Sequence, residues 1–306
     1  SGNAVVAKPA PAGTRVAIAL AQALSNAGLP AGLFNVITGD KEAAVHLVKH
    51  PLVSAVSFTG GTIAGEILIR HAGNKKFVSE LGSNAANVVL SDADIDDAAR
   101  KIASAAFEAS GQQCISAQRI LVEQSVYVDF LARFVTAASN LRVGHSRDDS
   151  TDIGPMVSIH AARRVMAMAQ DAIDCGASYA LVPNQDGCTV SPGILVGVPR
   201  SAQLWTTEVF GPLALVLPVS GIDEAIALAN DSPFGLQGAV FTRSLAHAFR
   251  FSEDFEVGAL WINEASRFRL DMYPFGGMKQ SGIGREGVKY AIEELAQIRF
   301  TGIKIS

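Results

Sequence analysis

Over its first eighty residues the chain alternates short apolar runs with amphipathic stretches, and this alternation constrains the fold more than any other feature. Asn3 to Ala7 is an apolar run. Gly13 to Ala27 follows with Val16, Leu20, Ala23, Leu24 and Ala27 at helical spacing, until Gly28 and Pro30 stop it. Phe34 to Ile37 reads as a second strand, Lys41 to Lys49 as a second helix, Val53 to Phe58 as a third strand and Thr62 to Ala72 as a third helix. Phe77 and Val78 begin another strand. Strands separated by helices need crossover connections, which are right-handed and lay the strands parallel. The expectation is an α/β fold of the kind that binds nucleotides at strand C-termini.

The rhythm continues less regularly past residue 80. Asn87 to Leu90 is strand-like, and Asp92, Asp94, Asp96 and Asp97 crowd the start of the next segment, where negative charge suits a helix N-terminus. That helix is expected to end at Ser110-Gly111. A strand over Ile120 to Val122 follows, and Tyr127, Phe130, Leu131, Phe134, Ala138 and Leu141 mark an amphipathic helix. The polar run His145 to Asp152 reads as a surface loop. Later strands are expected at Leu213 to Val219, Ala239 to Phe241 and Ala259 to Ile262, with helices at Ile222 to Ala229 and Leu245 to Phe251.

A chain of 306 residues that is 49% hydrophobic can bury a sizeable core and is long enough for two domains. A net charge of -4 with scattered Lys and Arg leaves no basic stripe for nucleic acid. Cys114, Cys175 and Cys188 are too few and too irregularly spaced for a disulfide framework or a zinc site, so no metal is expected and a reducing cytoplasm fits. No run is apolar enough to span a bilayer, and the first residues lack the pattern of an export signal.

Chemistry concentrates in Gly111-Gln112-Gln113-Cys114-Ile115-Ser116, some thirty residues after Glu80-Leu81-Gly82. A thiolate can add to an electrophilic carbon, and a carboxylate held nearby can activate the water that releases the product. Neither group needs a metal.

Several landmarks in this order resemble the aldehyde dehydrogenase superfamily. They are Lys8-Pro9, Gly28-Leu29-Pro30-Ala31-Gly32, Phe58-Thr59-Gly60-Gly61-Thr62-Ile63-Ala64-Gly65, Glu80-Leu81-Gly82, Gly111-Gln112-Gln113-Cys114, Glu208-Val209-Phe210-Gly211-Pro212 and Pro274-Phe275-Gly276-Gly277. The resemblance implies residues 1–80 as the C-terminal half of a Rossmann-like NAD(P)-binding domain, 81–290 as an α/β catalytic domain and 291–306 as an oligomerisation strand. It implies Cys114 as the nucleophile that forms a thiohemiacetal and then a thioester, with its backbone N–H as an oxyanion donor, and Glu80 as the general base for hydrolysis to a free acid. It also implies a longer N-terminal segment carrying the second oxyanion donor, an asparagine, so the 306 residues alone are expected to be inactive or nearly so.

For the cofactor, NAD or NADP, the resemblance points to Gly60, Thr62 and Gly65 at the pyrophosphate, Lys8 at the adenosine ribose, and Glu208 and Phe210 at the nicotinamide ribose and ring. Gly61 stands where many relatives carry Ser. Pro11 stands where many NAD-preferring relatives carry a glutamate that would repel a 2′-phosphate, which leaves NADP open.

The resemblance implies that the loop Glu264 to Asp271 lines the substrate entrance. Arg267 or Arg269 could hold a carboxylate or phosphonate there, or could pair with Glu264 or Asp271 instead. This loop and the residues around Gln113 look most like the branch acting on lactaldehyde, semialdehydes and phosphonoacetaldehyde, although some phosphonate-specific relatives carry Arg where this chain has Gln113. The alternation in Ile298 to Ile305 reads as an edge strand that a monomer would leave exposed, and the resemblance implies that it pairs with a neighbouring subunit in a homodimer or homotetramer. Two other classes would use the same residues, a cofactor-independent thiol esterase and a non-catalytic assembly subunit.

Overall fold

Apolar periodicity becomes layered structure in the computed structural model, which describes residues 2–305. The chain divides into two compact units, Ser1–Ser79 with Gly284–Ser306, and Glu80–Ile283.

In the first unit β1 (Val5–Ala7) and β2 (Phe34–Val36) pair in parallel, joined across helix α1 (Thr14–Asn26). Helix α2 (Lys41–Lys49) starts where the Asp40 carboxylate accepts from Ala43 N–H, 3.5 Å away. It leads into β3 (Ala55–Thr59), α3 (Thr62–Ala72) and β4 (Lys76–Glu80), with β3 and β4 adjacent in one sheet. Val48, Leu68 and Ala72 form the small core.

The second unit is built on a seven-stranded sheet whose spatial order is β14-β13-β5-β6-β11-β10-β7. In chain order these are β5 (Ala86–Val89), β6 (Arg119–Glu123), β7 (Ser178–Leu181), β10 (Gly193–Val196), β11 (Leu213–Val219), β13 (Gln237–Phe241) and β14 (Ala259–Ile262). All neighbours run parallel except β7, which lies antiparallel to β10. The short strands β8 (Gln185–Asp186), β9 (Thr189–Val190) and β12 (Phe234–Gly235) lie outside this sheet.

Because successive side chains on a strand point to opposite faces, Val88, Leu121 and Leu215 enter one buried cluster, while Val89, Ile120, Val122 and Val216 enter another. Helices α4 (Ile95–Phe107) and α5 (Tyr127–Ser139) pack on the second cluster. The first is covered by α6 (Ile159–Asp174), α8 (Ile222–Asn230) and α9 (Leu245–Asp254), with the short α7 (Gln203–Thr206) beside them. A sheet covered on both faces is what lets its strands be almost wholly apolar.

One expectation needs correction. Helix α4 stops at Phe107 rather than at Ser110-Gly111, because Ala109 and Ser110 take left-handed backbone angles, φ +52° and +56°, inside the turn Glu108–Gly111. The tail from Ile298 to Ile305 forms no strand in the single chain, and Ile298, Phe300, Ile303 and Ile305 are exposed. A strand exists only through ladder bonds to a neighbour, and no described segment of this chain lies alongside to supply them.

Candidate active site

Cys114 sits in the turn that carries the chain from α4 into β6. Three successive left-handed residues, Ala109, Ser110 and Gly111, turn the backbone sharply. Side-chain bonds secure the turn: Ser110 Oγ donates to Gly154 O at 2.7 Å, and Gln112 Oε1 accepts from Val157 N–H at 2.8 Å. Ser116 N–H returns to Gln113 O at 3.1 Å, which closes the backbone around the half-buried Gln113 and Cys114.

The sulfur is held in apolar company, packed with Ile115, Leu236 and Phe275. Burial, followed by the charges of Glu208 and Glu80, pushes the Cys114 thiol up to about 12, while Arg269 acts in the opposite direction. At neutral pH the resting group is therefore the thiol. The charges of both carboxylates and of the guanidinium thus all act on the sulfur.

The segments that carry these charges are anchored by hydrogen bonds and ring contact. Glu80 ends β4 and is 3% exposed. The residues after it are fastened by Ser281, whose carbonyl accepts from Leu81 N–H at 2.9 Å and whose Oγ donates to Gly82 O at 2.8 Å. Glu208 follows α7, and its Oε1 accepts from Ser83 N–H at 3.0 Å. Burial raises its carboxyl above the ordinary range, opposed by the Ser83 N–H and the Arg164 guanidinium. Phe210, two residues on, has φ +46° and an exposed ring.

The loop of Arg267 and Arg269 is tied to the cysteine turn through Ser266. Ser266 N–H donates to Asn87 Oδ1 at 3.0 Å, its Oγ accepts from Asn87 Nδ2 at 2.9 Å, and the same Oγ donates to Ile115 O at 3.0 Å. The two arginines then part: Arg267 pairs with Glu108, and Arg269 lies over the Phe275 ring, 3.9 Å from its centre. Glu264 is engaged by Lys101 at 3.6 Å.

The remaining candidates belong to the first unit. Lys8 Nζ donates to Pro9 O at 3.1 Å and Gly39 O at 2.9 Å. At the start of α3 the cap residue is Gly61, so no side chain occupies the N-terminal amides, and a Cβ on Gly61 would meet nothing within 4 Å. Thr62 opens the helix and Gly65 is buried. An uncapped helix N-terminus beside glycines is a fit place for a diphosphate.

Several residues that build this site carry no motif: Ser83, Asn87, Gln118, Arg119, Arg164, Ser266 and Ser281. Fully buried Arg119 is one example, donating to the carbonyls of Asn84, Leu228, Ala229 and Asp231. A lone Arg opening an apolar strand was the only sequence signal for it.

A profile described as the Aldehyde dehydrogenase family matches residues 1–301. The 3-sulfolactaldehyde dehydrogenase of Priestia aryabhattai is 40% identical over 300 residues, covering 98% of this chain and 63% of the relative. The lactaldehyde dehydrogenase of Methanocaldococcus jannaschii is 38% identical over 304 residues, covering 98% and 65%. Among solved structures, glyceraldehyde-3-phosphate dehydrogenase GapN from Methanocaldococcus jannaschii, complexed with NADP, superposes with a TM-score of 0.94 at 38% identity, over 97% of this chain and 66% of that one. The chain thus spans about three fifths of the length of the curated relatives it matches. With the fold shared to this degree and the cysteine turn lying inside the matched span, this chain belongs to the aldehyde dehydrogenase family.

Proposed function

We propose that this chain serves in the oxidation of a small aldehyde or semialdehyde to the carboxylic acid, with Cys114 as nucleophile, Glu80 as general base and NAD or NADP as cofactor. The observation that carries this reading is one half-buried thiol in a tight turn, acted on by the charges of two carboxylates and a guanidinium, with Glu208 and the residue after Glu80 each held by a backbone hydrogen bond. Family relatives named for lactaldehyde and 3-sulfolactaldehyde support the substrate class.

In this reading Cys114 passes its proton to water as the carbon–sulfur bond forms and the carbonyl π bond opens, giving a thiohemiacetal oxyanion that the Cys114 backbone N–H meets. Bound NAD(P) would supply the hydride acceptor, and loss of hydride from the oxyanion carbon would leave Cys114 holding a thioester. Glu80 then takes a proton from water, the hydroxide adds to the thioester carbon, and the carbon–sulfur bond breaks to release the acid and restore the thiol. Gly60, Thr62 and Gly65 would hold the diphosphate through the α3 amides, with Lys8 at the adenosine ribose. Glu208 would accept from a ribose hydroxyl beside the exposed ring of Phe210. Residues 1–80 thus serve as part of the nucleotide-binding domain and 81–290 as the catalytic domain.

Of the three residues assigned to substrate, Arg269 is favoured, because its charge acts on the Cys114 thiol, whereas Arg267 pairs with Glu108 and does not. A guanidinium near the reacting sulfur suits an aldehyde carrying a carboxylate or sulfonate, with Gln113 adjoining. The exposed alternating tail would pair with a second copy of the chain in a homodimer or homotetramer. The reactive thiol requires a reducing setting such as the cytoplasm. Among the described residues no helix is long and apolar enough to cross a membrane.

The test is NADH or NADPH formation on adding lactaldehyde or succinic semialdehyde to the polypeptide at its relatives' full length. We expect reduction that Cys114→Ser abolishes, and little turnover from the 306 residues alone. Equal turnover in the Cys114→Ser protein overturns the reading.

A further inference from the structure

Glu208 acts on Cys114 from an irregular stretch, after α7 has ended and before β11 begins. The interaction of a charge with a neighbouring group falls with distance, so its backbone must be held. One buried side chain does this from both sides. Gln118 Nε2 donates to Thr207 O at 2.9 Å and to Leu204 O at 3.5 Å, and Gln118 Oε1 accepts from Val209 N–H at 3.0 Å. The carbonyl before Glu208 and the amide after it are thus gripped by the two ends of a single carboxamide. Arg164 adds bonds to the carbonyls of Glu208 and Val209, but it cannot hold an N–H.

Gln118 is itself anchored. It is 5% exposed, four residues beyond Cys114, and its N–H and that of Arg119 both donate to Ala85 O at 3.1 Å. Arg119 beside it is bonded to four carbonyls. The carboxamide therefore ties the Glu208 stretch to the segment that carries the thiol. An apolar residue of the same length would pack in its place, so the amide is present for its bonds.

We propose that Gln118 is a positioning residue of the thiol site, holding the Glu208 carboxylate at a set distance from the Cys114 sulfur by gripping Thr207 and Val209. This inference rests on the reading that Glu208 and Cys114 belong to one site. The test is the rate of Cys114 alkylation by iodoacetamide at pH 8.5, resolved by peptide mass spectrometry in the 306-residue chain. Glu208→Gln, which removes the charge that disfavours the thiolate, is expected to raise the rate about tenfold, the equivalent of one pKa unit. Gln118→Met, which frees the charge without removing it, is expected to raise it about threefold, half such a unit.

The double variant is expected to match Glu208→Gln alone, since the placement of an absent charge is immaterial. A general loosening that merely exposed the sulfur would instead multiply the two effects. If Glu208→Gln leaves the rate unchanged, the one-site reading fails and this proposal with it. If Glu208→Gln acts but Gln118→Met does not, or if the effects multiply, the role of Gln118 is overturned while the site stands. Should the methionine variant not fold, Gln118→Asn, one methylene too short to reach both peptide groups, is read by the same criteria.

Discussion

Replacing Gly111 by alanine tests how tightly the cysteine turn is docked. Gly111 has φ +65°, and a Cβ there would lie 2.1 Å from Gly211 O, 2.4 Å from its carbonyl carbon and 3.0 Å from Pro212 N. Carbon and oxygen make contact at about 3.4 Å, so the two backbones would have to separate by about 1 Å. Gly211 has no room to retreat, because on its own Cα side Val165 Cγ2 already stands 2.4 Å from where a Cβ would be. The left-handed conformation costs an alanine about 1–2 kcal/mol, and forced overpacking adds about 1–3 kcal/mol.

Gly197 supplies the control, with φ +62° and nothing within 4 Å of an added methyl. Gly197→Ala carries the same conformational cost and the same change in unfolded-chain entropy without the collision. The difference between the two variants isolates the collision at about 1–3 kcal/mol. Trp205 and Trp261 are the only tryptophans and both lie in the second unit, so urea unfolding followed by their fluorescence reports on that unit alone. Equal destabilisation by the two substitutions would refute the argument that the turn and the Glu208 stretch are pressed together through paired glycines.

Two further outcomes follow from the charges around the sulfur. A thiol whose value is raised from 9.0 to about 12 is neutral throughout the physiological range, so the logarithm of its alkylation rate should climb with unit slope from pH 7 to about pH 11; a plateau near pH 9 in the chain counts against the stated environment. Arg269→Met removes the one charge that favours the thiolate and is expected to slow alkylation roughly threefold. In a polypeptide of its relatives' full length it should raise KM about tenfold or more for an aldehyde bearing a carboxylate or sulfonate, the loss of a charge-assisted hydrogen bond, and leave an uncharged aldehyde of the same size unaffected. Equal changes for both aldehydes would remove Arg269 from substrate recognition.

Helix α6 shows that some of what escaped the sequence reading was legible. Ser158 precedes it and accepts from Ala161 N–H at 3.1 Å, and Ala162, Val165, Ala169 and Ala172 recur along one buried stripe. The signal was blunted because alanine at these positions contributes little apolar contrast. The left-handed run Ala109-Ser110 had no such signal, since neither residue prefers that conformation and only the packing of Gly111 against Gly211 calls for it.

By itself the sequence determined many of the elements and the candidates for the reacting groups. The bounds of Lys41–Lys49, Thr62–Ala72, Leu213–Val219 and Ala259–Ile262 coincide with the structure, because helix and strand periods and their stop signals are local properties of the chain. Cys114 and its Gly-Gln-Gln turn were equally visible. Tertiary structure alone decided the electrical surroundings of that sulfur. Ser83 meets Glu208 across 125 positions, Gln118 reaches Val209 across 91, and Ser266 reaches Ile115 across 151. Electrostatic and hydrogen-bonding energies depend on separation in space, and separation along the chain carries no information about it until the sheet has brought its strands side by side.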